Sequence, residues 1–556
     1  MSRPLPARVL LLVLCLAVMV RVGLALRPGL WGDEIFSLAM ATGHSLEHPA
    51  AAGDASQGDF VEPRQVVASG LFRRYAEHDT PAASPRRVVR AVLLSDTNPP
   101  LYYLLLNVWT RAFGTGDVAL RLCSVLWTVL AIPFIWLLGR DLGGERMGWT
   151  AALLFACSPV SLFYSIEGRM YALLWCLAAA LGWTSLALHR RGARPALLAA
   201  WTTLAVCGLL THYFFLFAWC AFVAWLALFP GRMRRMAVTA LAGATVLIVA
   251  PWYIQVPASL ARWRISGNWL DAPLPWPRGL TRPFELAWSM LAGGSFWGGS
   301  PAVDGALAVA YLILALFLLR AGRLRRVFAP ERLLLWGWVA AAVLGPFVFD
   351  IVRQTSASLV PRYVLAGFPG AMLLAALGIE QLPGRMHTAF TALVLLAWTA
   401  GAWPILAHRA RPEAAYVALD AEIGAWAGPS DLVLVHSIPS GLIGMARYLD
   451  RDVPMASWIA PLGLRRVPND LELLLHGRRR LALIQVHNLA QPAPAEAWLR
   501  ANARLERREI YDGAADRLTS DTTALNPMLL AALREHKLIE IFYFAPANGD
   551  EFFPAR

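Results

Sequence analysis

The stretch whose reading decides the fold is VLLLVLCLAVMVRVGLAL, Val9–Leu26, followed at once by Arg27-Pro28-Gly29-Leu30-Trp31-Gly32-Asp33-Glu34. The first part is an apolar run long enough to cross a bilayer as a helix. It would deliver the acidic pair Asp33-Glu34 to the far membrane surface. Carboxylates at that position cost desolvation energy unless they are solvated, paired or used. Arg3 and Arg8 ahead of the run also fit a signal peptide. No clear A-x-A site follows, however, and many more apolar runs do, so an uncleaved first helix is expected.

Working outward, apolar runs recur near 9–26, 118–138, 147–164, 170–189, 196–211, 212–229, 236–256, 303–320, 332–350, 363–381 and 387–407. They predict an α-helical polytopic membrane protein with roughly eleven transmembrane helices. The composition agrees: 57% hydrophobic and only 16% charged, with a mean hydropathy of +0.50. The net charge of +13 is not a nucleic-acid signature, because the arginines cluster in short loops between apolar runs. These are Arg140–Arg146, Arg190–Arg194, Arg232–Arg235, Arg320–Arg332 and Gly384–Arg385. Alternation puts all of them on the side of the N-terminus, which the positive-inside rule makes cytoplasmic, with the C-terminus outside. The expected location is the bacterial cytoplasmic (inner) membrane, with the functional face outward.

Residues 1–408 form the expected transmembrane domain. Within it, 27–117 reads as an extracytoplasmic loop with interfacial helices: Ala50–Pro85 has the composition of a mobile stretch, and Leu101–Phe113 is aromatic and amphipathic. The loop 257–302 carries five tryptophans, from Trp263 to Trp297, which suits the interface. From 409 to 556 the pattern changes to a small extracytoplasmic α/β domain. Short β-rich runs (Asp431–His436, Arg480–Val486, Ile539–Phe544) alternate there with helical ones (Ala418–Trp426, Leu442–Leu449, Ala495–Asn502, Pro527–His536). The cysteines Cys15, Cys123, Cys157, Cys176, Cys207 and Cys220 lie in or beside apolar runs without CxxC spacing, and read as small buried hydrophobes.

Alternation of the spans gathers certain residues on the outer face. They are Asp33-Glu34, Asp96-Thr97-Asn98-Pro99-Pro100-Leu101-Tyr102-Tyr103, Tyr164-Ser165-Ile166-Glu167-Gly168-Arg169-Met170-Tyr171 and Pro361-Arg362-Tyr363. Carboxylates can accept a proton, and arginine and tyrosine can hold an anion. A base beside an anion clamp at a bilayer surface suits group transfer from a lipid phosphate, the phosphate being the leaving group. Lys537 is the only lysine, so a phosphate contact here is expected to be an arginine fork.

The order of these motifs resembles the GT-C glycosyltransferases: DE after the first span, NPPLYYLLL, a Ser-Pro leading into YSIEGRMYALL, and RYVLAGFPG. The likeness is to the family 39-type protein mannosyltransferase and lipid A aminoarabinose transferase group, over roughly residues 9–407. The resemblance implies an outward-facing active site, a polyprenyl-phosphate-linked sugar donor and inversion at the sugar carbon. The acceptor would be a lipid, glycan or protein hydroxyl. It makes Asp33 the general base, with Glu34 and Glu167 positioning the acceptor or sharing its charge. Arg169, Arg362 and Tyr363 would hold the donor phosphate. Where relatives carry a basic residue before the Pro-Pro pair, this chain has the neutral Asn98.

Further candidates follow from position. Arg21, inside the first span near its outer end, can reach a phosphate or simply snorkel. Asp96, Asn98, Tyr102, Tyr103 and Tyr171 are candidate substrate-binding residues, although Asn98-Pro99-Pro100 also fits an extended lead into a helix and the tyrosines also fit interfacial anchors. Asp33 and Glu34 could instead cap a helix beginning near Ile35. Glu167 and Arg169 could be a structural pair. No cofactor is certain. A divalent cation is one possibility: His212 and the D-x-D of Asp450-Arg451-Asp452 are the places considered, and both have an ordinary structural reading. No GxxxxGK[ST], HExxH or helix-opening GxGxxG occurs. The competing functions are a transporter or flippase of a lipid-linked saccharide and a non-catalytic assembly protein. A transporter would show repeats and broken spans with midplane polar residues, whereas here the ionisable residues gather at one interface.

Overall fold

The computed structural model describes residues 7–95, 98–265, 270–275, 277–292, 301–407, 416–486, 494–511, 517–519 and 539–553. Each of the apolar runs is helical. Among the described residues, six helices are long and apolar enough to cross a membrane: Asp117–Gly143, Tyr171–Arg191, Arg235–Leu260, Pro301–Arg320, Leu333–Arg353 and Pro361–Glu380. A seventh span forms if Glu145–Cys157 and Pro159–Ser165, bent by 59° at Ser158, are taken together. Proline at the start of the second piece has no N–H to continue the ladder, which explains the break. The runs at 196–211 and 212–229 give two shorter helices, Pro195–Leu209 and Phe215–Leu228, because the turn at Thr211–Phe214 takes residues from both. The first run is also short of a full span, with Leu10–Ala25 apolar.

Tyr171–Arg191 is the central helix. It is 94% buried along its apolar window, against 22% for Arg235–Leu260 and Pro301–Arg320 at the rim. The rim helices turn large apolar side chains outward, such as Leu247 and Leu312, as lipid-facing helices do. The central helix packs on Asp117–Gly143, Pro195–Leu209 and Phe215–Leu228.

The remaining unit has, among the described residues, a seven-stranded sheet in the order β1-β3-β2-β4-β7-β5-β6. Its strands are β1 (Val67–Ala68), β2 (Asp431–His436), β3 (Pro454–Trp458), β4 (Arg480–Val486), β5 (Ala503–Tyr511), β6 (Arg517–Thr519) and β7 (Ile539–Pro546). Strands β3, β2 and β4 run parallel, and the rest pair antiparallel. Alternation along the strands makes two apolar faces. Leu432, Leu434, Leu481, Leu483, Phe542 and Phe544 pack with Leu471, Leu475 and Leu499 from the helices on that side. Val433, Val435, Ile484 and Ile541 join the large core that includes Leu419 and Ile423 of helix Tyr416–Trp426 and Leu442 and Ile443 of helix Pro439–Arg447. The run expected as a helix at Pro527–His536 lies outside the described residues.

The segment Ala50–Pro85 departs from the mobile stretch its composition predicts. It contributes β1 to the sheet, and it buries Phe60, Phe72 and Tyr75. Asp59, fully buried, receives a two-pronged bond from Arg90 at 2.6 and 2.8 Å. Such a bidentate pair gives a polar segment a fixed anchor that low hydrophobicity alone does not suggest.

Candidate active site

Helix Gly32–Ala41 starts directly after the first helix and its connecting loop, and carries both acids in its first turn. The two adjacent carboxylates are treated very differently. Glu34 is fully buried. Its Oε2 accepts the Trp31 N–H at 3.3 Å, closing the helix start from its third position. Its Oε1 accepts the Gly168 N–H at 2.8 Å. Arg121, also fully buried, pairs with both oxygens at 3.3 Å. Glu34 is therefore a fastener between three chain segments.

Asp33 points the other way. It keeps about a quarter of its side chain exposed, at 27%, and Arg362 approaches it to 3.5 Å. This pair keeps some access to solvent and can open for a substrate more readily than the fully buried Glu34–Arg121 pair, which cannot open without stranding a charge. Arg169 lies on the same side. Its guanidinium donates to the Asp33 carbonyl at 3.3 Å and to Ser37 Oγ at 3.0 Å.

The turn that delivers Glu167 and Arg169 follows the broken span. Gly168 has to be glycine there: a Cβ would come within 2.5 Å of Leu120. Ser124 Oγ donates to the Glu167 carbonyl at 2.5 Å and ties the turn to helix Asp117–Gly143. The Glu167 side chain is buried. Tyr171 begins the central helix, also buried, with its ring 5.1 Å from that of Tyr164 and 6.1 Å from that of His212. His212 lies 5.8 Å from Tyr363 as well, so an aromatic wall joins the 164–171 turn to the 361–367 turn. Arg362 stands beside it, 5.8 Å from the Trp31 ring and 5.9 Å from the Tyr363 ring.

The turn bearing Arg362 is held by a residue that sequence reasoning missed. Asp350, buried at the end of helix Leu333–Arg353, accepts from Thr355 Oγ1, Ala357 N–H and Ser358 N–H, each at 2.7 Å. Arg282 adds bonds to the Ser358 and Leu359 carbonyls at 3.0 Å each. Arg121 was also missed, because an arginine inside an apolar run with its partner in the preceding loop has no local signal.

Other expected site residues lie as follows. Arg21 is buried and spends its guanidinium on the fold: it donates to the Ala17 carbonyl at 2.9 Å, the Ala156 carbonyl at 2.6 Å and Ser161 Oγ at 2.9 Å. It thus bolts the first helix to the broken span, taking a carbonyl in the last turn of Glu145–Cys157 that the helix end leaves open. Tyr102 and Tyr103 are buried edge-to-face with centroids 5.5 Å apart, not displayed at a surface. Burial pushes the Tyr102 phenol well above its usual range, so it remains a donor. Asn98 is half-buried at the head of the Leu101–Phe113 helix. Asp96 lies outside the described residues. An apolar groove runs between helices Leu101–Phe113 and Asp117–Gly143, lined by Leu105, Val108, Trp109, Phe113, Cys123 and Trp127.

Among the described residues, no group of three or more His, Cys, Asp or Glu gathers to hold a metal ion. His212 Nδ1 accepts the Phe214 N–H at 3.1 Å. Asp452 accepts from Gly70 N–H at 2.9 Å and Arg73 at 2.6 Å, fastening the sheet unit to the 69–73 segment.

Residues 97–254 match the family model of the dolichyl-phosphate-mannose-protein mannosyltransferases. No curated protein sequence matches the chain. Among solved structures, ArnT from Cupriavidus metallidurans in the apo state aligns with a TM-score of 0.56 at 12% identity, covering 96% of this chain and 97% of that one. The same protein bound to undecaprenyl phosphate aligns at 0.55 with 13% identity, covering 97% and 98%. The chain has the fold of the GT-C glycosyltransferases. A chain of this fold with this many apolar helices among its described residues is an integral membrane protein. The match over 97–254 spans the Pro-Pro motif, the broken span, the Glu167–Tyr171 turn and His212, all of which contribute to the site above. Asp33 and Arg362 lie outside it.

Proposed function

We propose that the protein is an integral membrane glycosyltransferase with about eleven spans, N-in and C-out. It would move a hexosyl or pentosyl unit from a polyprenyl-phosphate donor to an acceptor hydroxyl on the extracytoplasmic face, with inversion. The transmembrane domain is 1–408, and residues 409–556 form an extracytoplasmic α/β domain. The observation that carries the reading is the split between the two acids: Glu34 is buried and bound by Arg121 and the Trp31 and Gly168 N–H groups, and Asp33 stands partly exposed beside Arg362 and Arg169.

In this reading the acceptor oxygen attacks the anomeric carbon as Asp33 takes its proton. The bond from that carbon to the phosphate oxygen breaks, and the polyprenyl phosphate leaves. Arg362 is drawn from Asp33 to the phosphate as the donor binds, which stabilises the leaving group and frees the carboxylate. Arg169 and Tyr363 complete the phosphate site. Glu167 and Tyr171 line the acceptor side together with Tyr102, Tyr103 and Asn98. Glu34 positions the helix that bears Asp33. The groove beside Trp109 and Trp127 suits an isoprenoid tail, since it is apolar and opens beside the Tyr102 helix. The ArnT structure with undecaprenyl phosphate supports this class of donor.

The test is turnover with a panel of synthetic polyprenyl-phosphate sugars, comparing wild type with Asp33→Asn. The amide cannot take a proton, so turnover should fall by about 10²–10⁴-fold with the unfolding temperature unchanged. A well-folded Asp33→Asn protein with wild-type turnover would remove Asp33 as the base.

A further inference from the structure

Helix Pro439–Arg447 of the sheet unit ends on Arg447 and Tyr448, and both reach one carboxylate of the membrane unit. Asp117 Oδ1 accepts from Arg447 at 3.0 and 3.1 Å, and Asp117 Oδ2 accepts from the Tyr448 hydroxyl at 2.8 Å. Arg447 also donates to the Thr115 carbonyl at 2.7 Å. The same two groups hold the loop that leads to Asp33. Asp117 Oδ2 accepts the Gly29 N–H at 2.8 Å, and the Tyr448 oxygen accepts the Leu30 N–H at 2.6 Å. Gly29 sits at φ +103°, a conformation that favours glycine.

One helical turn beyond Asp117, Arg121 takes the Arg27 and Gly29 carbonyls. Glu34 takes the Trp31 N–H at 3.3 Å. The backbone polar groups from Arg27 to Trp31 are thus gripped from two sides, and one grip comes from a residue more than 400 positions away, Tyr448. Burial and the neighbouring Asp117 raise the Tyr448 phenol above its usual range, so its proton stays in place to donate to Asp117.

We propose that Arg447 and Tyr448 are positioning residues for Asp33: through Asp117 and the Gly29–Leu30 backbone, the C-terminal sheet unit sets where the Asp33 carboxylate stands. This rests on the reading of Asp33 as the base. Mere attachment of the sheet unit does not require these contacts. It is already secured by the β1–β3 pairing, by Asp452 on Arg73 and Gly70, and by Glu62 accepting the Ile459 N–H at 2.9 Å. What the Tyr448 hydroxyl adds is a fixed register for the loop, and misplacing a reacting group by about 1 Å can cost about 10²-fold in rate.

The experiment is Tyr448→Phe in the full-length protein, which removes one hydroxyl and leaves the ring. The expected result is a fall in kcat of about 10- to 100-fold, measured well below the unfolding temperature and with the donor KM unchanged; the unfolding temperature itself should fall modestly, because the Leu30 N–H loses its acceptor. Arg447→Lys should recover part of what Arg447→Ala loses. In single-turnover measurements, Tyr448→Phe should cost little more in an Asp33→Asn background, because the group it positions is already disabled. Wild-type kcat in Tyr448→Phe, losses that multiply in the double variant, or a rate loss that only tracks a lowered unfolding temperature would each overturn the proposal. Wild-type turnover of Asp33→Asn alone would instead overturn the base assignment, so the two failures are distinguishable.

Discussion

Glu34 and Arg121 meet as an ion pair with neither side chain exposed, 3.3 Å apart. Two charges taken out of water in this way are held by each other and by the Gly168 and Trp31 N–H groups. Removing one leaves the other buried and uncompensated. Glu34→Ala and Arg121→Ala are each expected to cost about 3–5 kcal/mol of stability, read as a lower unfolding temperature in detergent. The Asp33→Asn variant should show no such loss, so adjacent acids of like chemistry separate into one fold residue and one site residue.

A second contrast concerns two arginines. Arg362→Ala should weaken donor use by about 10- to 100-fold, the worth of a charge-assisted hydrogen bond, seen in the donor KM. Arg362→Lys should recover only part, since an ammonium cannot fork. Arg21→Ala should do the reverse: a lower unfolding temperature, because Ala156 O and Ser161 lose their donor, with the donor KM of the folded fraction intact. A donor KM defect in folded Arg21→Ala would restore it to the phosphate site.

Asp350→Ala strands two backbone N–H groups, those of Ala357 and Ser358. Each stranded buried donor costs about 1–3 kcal/mol. The turn that carries Arg362 then loses its register, so stability and donor affinity should fall together. Donor titration and thermal unfolding of the same sample check this.

The sheet unit carries a pH dependence of its own. Burial pushes the Asp420 carboxyl up to about 9, against an ordinary value near 4. Between those values the folded protein holds a proton that the unfolded chain has released, so this group's contribution to stability is full below about pH 4 and declines as the pH rises toward 9. Asp420→Asn keeps the shape and removes the titration. Its unfolding temperature should exceed that of wild type, by more at pH 8.5 than at pH 5. Unfolding curves across that range check the sign, and a constant difference would show that Asp420 does not titrate as described.

The sequence exposes what depends on composition and local order. Apolar runs mark the long helices of the membrane unit but not Arg278–Ala292 or Gly32–Ala41, and the acid pair after the first run marks the candidate site. The break at Ser158-Pro159 lies inside one of those runs, and only proline's missing N–H hints at it. Roles fixed by long-range partners are not readable. Asp33 and Glu34 are neighbours, and what divides them is Arg121, 87 positions on. Arg21 looks like an anion ligand because its acceptors, Ala156 and Ser161, are ordinary residues far along the chain. In the sheet unit, the buried β2 and the almost wholly buried β4 announce themselves as apolar runs. Strand β5, ARLERREIY, is half exposed and heavily charged, so it carries no such mark, and a two-residue strand such as β1 has no pattern at all.

That short strand has a consequence for biosynthesis. Val67–Ala68 is made long before the strand it completes, Pro454–Trp458. A nascent chain must therefore hold its 60–76 segment unfinished while the ribosome delivers every intervening helix. Only that later strand can then close it. A premature stop before Tyr448 is thus not a local deletion: it leaves Val67–Ala68 without its strand partner and the Leu30 N–H without its acceptor. Quality control of such a truncated chain would begin at its oldest end.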